Sequence, residues 1–177
     1  MSTYLTMNVV TTIKPPSNAG RVYRGESHAV RAQERHKKLI AAAAEIIGTE
    51  GLKSATVRKV CAQAGLTERY YYEAFKNAHD MLKQVYLAQI NKLADTMLGA
   101  ILSVEQTPAH MAEAALTSLF GAMKKDPRMA RIIYLEIVGV SDELDEVYRS
   151  GLKKFEDLLV RFSHPLYPEE NVADLDE

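Results

Sequence analysis

TVRKVCAQAGLTERYYYEAFK, residues 56–76, decides how the rest of the chain reads. Thr56 suits an N-cap, because its hydroxyl can accept a hydrogen bond from an unpaired backbone N–H of a first helical turn. Val57, Val60, Cys61 and Ala64 fall at i, i+3, i+4 and i+7, one apolar stripe with Arg58, Lys59 and Gln63 on the wet side. Gly65 ends that helix, since the residue after a helix commonly takes positive φ and glycine does so without steric cost. Leu66 fills the corner, and Thr67 stands where a second helix over 68–74 would be capped. Tyr71 and Phe75, four apart, point inward. Arg69, Tyr72, Glu73 and Lys76 then share the opposite face, with Tyr70 flanking it from the helix start.

Two short helices about a glycine corner make a helix-turn-helix. A second helix that turns guanidinium, ammonium and phenol groups outward suits phosphates and base edges of a major groove. The same spacing also fits a small helical corner whose surface tyrosines are held by packing, and the glycine turn alone does not separate the two. Charge favours the first reading: residues 21–76 carry eleven Lys/Arg against six Asp/Glu, net plus five, and residues 77–177 carry ten against seventeen, net minus seven. Such asymmetry fits a basic part that approaches a polyanion and an acidic part that stays clear of it.

Residues 31–82 resemble the N-terminal DNA-binding domain of the TetR-type (tetracycline-repressor-like) transcriptional regulators. The marks are an Ala-rich first helix, Glu50-Gly51, Ala55-Thr56-Val57, Ala64-Gly65-Leu66-Thr67, and an aromatic pair followed by Phe75. The resemblance implies a homodimer that sets two recognition helices into successive major grooves and leaves its operator when a small apolar or amphipathic effector enters the C-terminal helices. It places Thr56 and Arg58 at phosphate-touching positions, Tyr72 on the tyrosine typical of the recognition helix, and Glu68, Arg69, Tyr70 and Glu73 on its variable positions. Thr67 and Lys76 complete the expected DNA-binding set. Tyr71 stands where the pattern usually has an apolar residue, and Arg69 where a small residue is frequent.

Upstream, a first helix is expected over about residues 30–49, with Leu39, Ala42, Ala43, Ile46 and Ile47 in rhythm on one face and Gly51 ending it. Arg31, Arg35, Lys37 and Lys38 surround its N-terminal half, within reach of phosphates. Residues 1–27, with Pro15, Pro16, Gly20 and Gly25, read as a flexible arm whose Arg21 and Arg24 could enter a minor groove or stay solvated. The head then spans 28–77, a helical effector and dimerisation domain 78–163, and a tail 164–177. The class is all-α.

Downstream, Asn77 caps a long helix to about Ser103 that carries Met81, Leu82, Val85, Tyr86, Ile90, Leu93, Met97, Ile101 and Leu102 on its buried side. Thr107-Pro108 and Asp126-Pro127 are cap-then-proline helix starts. The first leads Met111, Ala114, Ala115, Leu116, Leu119, Phe120 and Met123. The second leads Met129, Ile132, Ile133, Leu135, Ile137 and Val138, so many apolar residues that a central, largely buried helix is expected. Ser141 caps the last, acidic at its start and basic later. The regulators it resembles continue with two further helices that pair across a two-fold axis; with Glu177 as the last residue, the expectation is a shortened chain or a dimer through another surface.

An effector cavity among these helices would be mostly apolar with a few polar groups. The candidates are Met97, His110, Phe120, Met123, Tyr134 and Glu136, with core packing the alternative for Met97, Met123 and Phe120. Glu136, amid Ile133, Leu135, Ile137 and Val138, needs a partner, which Arg131 or Tyr134 could be. Cys61, the only cysteine, precludes an intrachain disulfide and sits on an apolar stripe. No glycine-rich phosphate loop, metal-ligand spacing or nucleophile motif occurs among the five scattered histidines, so neither enzyme nor cofactor is expected. A 177-residue chain with 47% apolar content buries a core, and no run reaches the ~20 apolar residues of a membrane span, so a cytoplasmic home is the expectation. The rival reading is a helical small-molecule-binding or interaction protein in which DNA binding is lost or weakened.

Overall fold

The computed structural model describes residues 19–163, with side chains from residue 28 through 157 and at 160. Seven α-helices and no strand occur among them: α1 (Ala19–Glu50), α2 (Val57–Ala64), α3 (Glu68–Ala74), α4 (Ala78–Leu102), α5 (Pro108–Lys125), α6 (Pro127–Arg131) and α7 (Asp142–Ser163). A 3-10 turn, Leu52–Ser54, precedes α2, and a π-helical turn, Ile132–Glu136, follows α6. Two compact units divide the chain, Met1–Glu34 and Arg35–Glu177. Of the first, the N-terminal part of α1 is described; the second holds the remaining helices.

The helix ends follow their capping residues. Thr56 accepts the Lys59 N–H, Asn77 that of Asp80, Thr107 that of His110, and Ser141 that of Leu144. Gly65 closes α2 at φ 65° and ψ 35°, the left-handed region where a Cβ would be strained, and the Leu66 N–H returns to the Cys61 carbonyl at 2.9 Å. Thr67 is a correction. Its backbone is extended as a cap requires, yet its side chain makes no capping hydrogen bond.

One apolar core runs through the second unit. Leu39, Ala43 and Ile47 of α1 and Val60 and Cys61 of α2 join Tyr71 and Phe75 in the same buried cluster as Met81, Leu82, Val85 and Tyr86 of α4. Burying so many large side chains offsets the ordering entropy of helices too short to persist alone. Tyr71 and Phe75 meet edge-on with ring centroids 5.0 Å apart. Of the α4 residues expected inside, only Leu102 is exposed.

Three further expectations are overturned. α1 begins at Ala19, so residues 19–27, expected within an arm, are helical; residues 1–18 and the expected tail at 164–177 lie outside the described residues. The segment after Asp126-Pro127 is a five-residue helix and a π turn rather than one long helix, and its apolar residues split: Met129, Ile132, Ile133 and Ile137 are buried, Tyr134, Leu135 and Val138 exposed. α5 likewise turns Leu116 and Phe120 outward.

Candidate nucleic-acid interface

The edge of α3 is built by what its other side buries. Tyr71 and Phe75 are each 2% exposed, and the helical step between them fixes the rotation of the element. Arg69, Tyr72, Glu73 and Lys76 consequently face solvent; the Arg69 side chain is 83% exposed and Tyr72 64%. Burial pushes the Tyr71 hydroxyl above the usual tyrosine range, and that hydroxyl lies 3.5 Å from the Met81 sulfur. Burial likewise pushes up the Cys61 thiol, with Glu68 adding to it, so Cys61 is a packing residue.

Arg69 and Glu73 form an i, i+4 pair, with Arg69 Nε donating to Glu73 Oε1 at 2.8 Å. The bond and the carboxylate's charge hold the guanidinium pKa above its ordinary value. Tyr70 is half-buried beneath Arg35 of α1, whose guanidinium carbon lies 4.4 Å from the ring centroid, a cation–π contact. His36, one residue on, packs against Phe75 and bonds to Gln84 of α4 at 2.7 Å, tying α1, the end of α3 and α4 together. Neither brace was foreseen in the sequence: the partners lie on different elements, and only Arg69–Glu73 had a local signal, its four-residue spacing.

The other expected DNA-contacting residues are exposed as well. Thr56, Arg58, Thr67 and Glu68 are exposed, and the Thr56 oxygen that caps α2 keeps its own proton for another acceptor. Lys59 is held by Glu50 in an ion pair. Lys76 donates its backbone N–H to Asp80 Oδ2 at 2.9 Å, fixing the turn into α4, while the residue remains exposed. Thr56, Arg58, Arg69, Tyr72 and Lys76 thus offer hydroxyl, guanidinium, phenol and ammonium groups from two short helices and the turn that follows.

The six effector candidates differ in burial and partners. Met97 is core, Met123 is half-buried, and Phe120 and Tyr134 are exposed. His110 is exposed and bonds Thr107 Oγ1 at 2.9 Å. Glu136 is a structural carboxylate: Oε1 accepts from Arg131 Nε and Oε2 from the Leu52 N–H, both at 2.8 Å. A cleft of about 180 Å³ beside Glu45, Gln89, Lys92, Asp126 and Arg128 contains none of the six. Among the described residues no three His, Cys, Asp or Glu side chains gather to hold a metal ion, and no helix is long and apolar enough to cross a membrane.

Solved structures share this architecture. The fatty acid degradation regulator FadR from Bacillus halodurans is 21% identical and superposes with a TM-score of 0.65 over 72% of this chain and 66% of its own. The transcriptional regulator FadR from Bacillus subtilis, solved in complex with stearoyl-CoA, is 21% identical with a TM-score of 0.66 over 77% of this chain and 74% of its own. A TetR-family transcription regulator from Shewanella sp. PV-4 is 15% identical with a TM-score of 0.62, over 74% of this chain and 70% of its own. The chain has the fold of TetR-family regulators, and it spans about two thirds of the length of the Bacillus halodurans protein. No protein-family model and no curated protein matches the sequence.

Proposed function

We propose that the chain is a DNA-binding transcriptional regulator, a repressor that grips a palindromic operator as a homodimer and is released by a small apolar or amphipathic effector. One observation carries the DNA half: past Gly65 the chain buries Tyr71 and Phe75 and turns Arg69, Tyr72 and Lys76 outward on an element short enough to lie in a major groove. Paired half-sites explain how so small a contact surface becomes specific, since linking two heads converts the second engagement into an intramolecular one. The effector half rests on likeness of fold: the Bacillus subtilis regulator was solved with stearoyl-CoA, an amphipathic molecule, and its match in fold extends over 77% of this chain. The role is non-catalytic.

Titration of the full chain with labelled duplex from upstream of its own coding region, at several salt concentrations, tests the reading. Binding that is sequence-selective and weakens steeply with salt is expected. Weak, sequence-blind binding at every salt concentration would instead favour a helical small-molecule-binding or interaction protein. In the same assay stearoyl-CoA serves as the probe of an amphipathic effector, and its addition is expected to lower operator occupancy.

A further inference from the structure

The DNA reading leaves open what the outward edge of α3 recognises, and the Arg69–Glu73 pair bears on that question. Arg69 spends its Nε–H on Glu73 Oε1 at 2.8 Å, which leaves the N–H groups of the two terminal nitrogens, Nη1 and Nη2, as donors for another partner. A guanidinium held at Nε is oriented before it meets anything, so less rotamer freedom is lost on contact. Two acceptors suit that fork in DNA: a phosphate, and the O6/N7 edge of guanine in the major groove. Glu73 decides between them. A carboxylate bonded to the same guanidinium repels a phosphate, whereas in the groove it faces exposed amino groups of cytosine and adenine, which donate to it.

The neighbours support the assignment. Tyr70 is held under Arg35 and Tyr71 is buried, so the helix is braced at the two residues that follow Arg69. The side chain is 83% exposed. We infer that Arg69 is a specificity-determining residue that reads one guanine in each operator half-site through Nη1 and Nη2, and that Glu73 is its positioning residue. The inference rests on the DNA-binding reading above and adds which base is read and by which atoms. Lys76 and Arg58, whose side-chain cations have no carboxylate bonded to them among the described residues, are left to the phosphates.

The test uses the full chain and duplexes selected from a random-sequence library by that chain. In the selected site each guanine is replaced in turn by 7-deazaguanine, which lacks the N7 acceptor and keeps the Watson–Crick pairing. One replacement per half-site should lower wild-type affinity by about tenfold to a hundredfold and leave Arg69→Ala unaffected. Arg69→Ala should keep the slope of log affinity against log salt, where loss of a phosphate contact would reduce it by about one. Glu73→Gln should shrink the 7-deazaguanine effect while its thermal midpoint stays at the wild-type value. Specific binding that tolerates 7-deazaguanine at every position, or a salt slope that falls in Arg69→Ala, overturns the inference and leaves DNA binding standing. Failure of the wild-type chain to select any sequence overturns both.

Discussion

Glu136 Oε2 accepts the Leu52 N–H at 2.8 Å across 84 residues of chain, while its other oxygen takes Arg131 Nε at the same distance. Arg131 Nη1 reaches the Thr49 carbonyl at 2.9 Å. One ion pair therefore satisfies both a carbonyl at the end of α1 and an N–H of the turn that leads into α2. Gly51, at φ 93°, lies against both side chains, and a Cβ there would be 3.0 Å from Arg131 Nη2.

Glu136→Ala should accordingly leave the Leu52 N–H and the Arg131 guanidinium without their partner. The expected loss is about 1–3 kcal/mol of unfolding free energy, read from urea denaturation. Glu136→Gln keeps an acceptor for Leu52 and should lose less.

How much of this was legible depended on how local the signal is. The caps at Thr56 and Asn77, the Gly65 corner and the Tyr71–Phe75 spacing are set within a few residues, and each stands in the structure as the sequence implied. The Glu136 partner was narrowed to Arg131 or Tyr134, but the geometry was hidden. A five-residue separation brings no two side chains together on an α-helix, and here a π turn, whose hydrogen bonds run i to i+5, sets Arg131 beside Glu136. Apolar residues on every side of 129–138 suggested burial all round; which of them are covered depends on what packs across, and no local pattern carries that. The start of α1 was obscured for a different reason, because Gly20 and Gly25 weaken helix propensity without forbidding a helix.

Tyr86 predicts an alkaline transition. It is fully buried and donates to the Tyr148 carbonyl at 3.2 Å, and burial pushes its pKa up from 10.0 to about 12. The neutral form is thus favoured in the folded chain. Its contribution is complete below pH 10, where the unfolded tyrosine also keeps its proton, and is lost as pH rises toward 12. Over that interval about 2–3 kcal/mol should disappear from the unfolding free energy. Tyr86→Phe should start lower by about 1 kcal/mol at neutral pH and fall less steeply above pH 10. Gly151→Ala should also destabilise, because its Cβ would be built into the Tyr86 hydroxyl.

Asp126 predicts the opposite limb. Its hydrogen bond from Arg128 Nε, 2.7 Å long, holds the carboxyl below its ordinary value of 3.8, against the opposing effect of partial burial. The pair therefore stabilises the fold above pH 3.8, and that stability is lost as pH falls through the folded value. Asp126→Asn should be less stable than wild type at neutral pH by under about 1 kcal/mol. The two proteins should converge in a pH series of thermal melts as the pH falls through the folded value, the gap closing only in acid.

The most direct measurement of the central claim compares Tyr72→Ala with Tyr71→Ala, each assayed for operator affinity and for unfolding free energy. Tyr72 is exposed and touches Tyr71 edge-on at 5.6 Å. Its removal should weaken operator binding by at least about tenfold and move stability by no more than about 1 kcal/mol. Tyr71→Ala should cost about 3–5 kcal/mol of stability, as truncation of a buried ring does. Full operator affinity in Tyr72→Ala, or a loss of stability there as large as in Tyr71→Ala, would contradict an α3 that presents its outer edge to DNA.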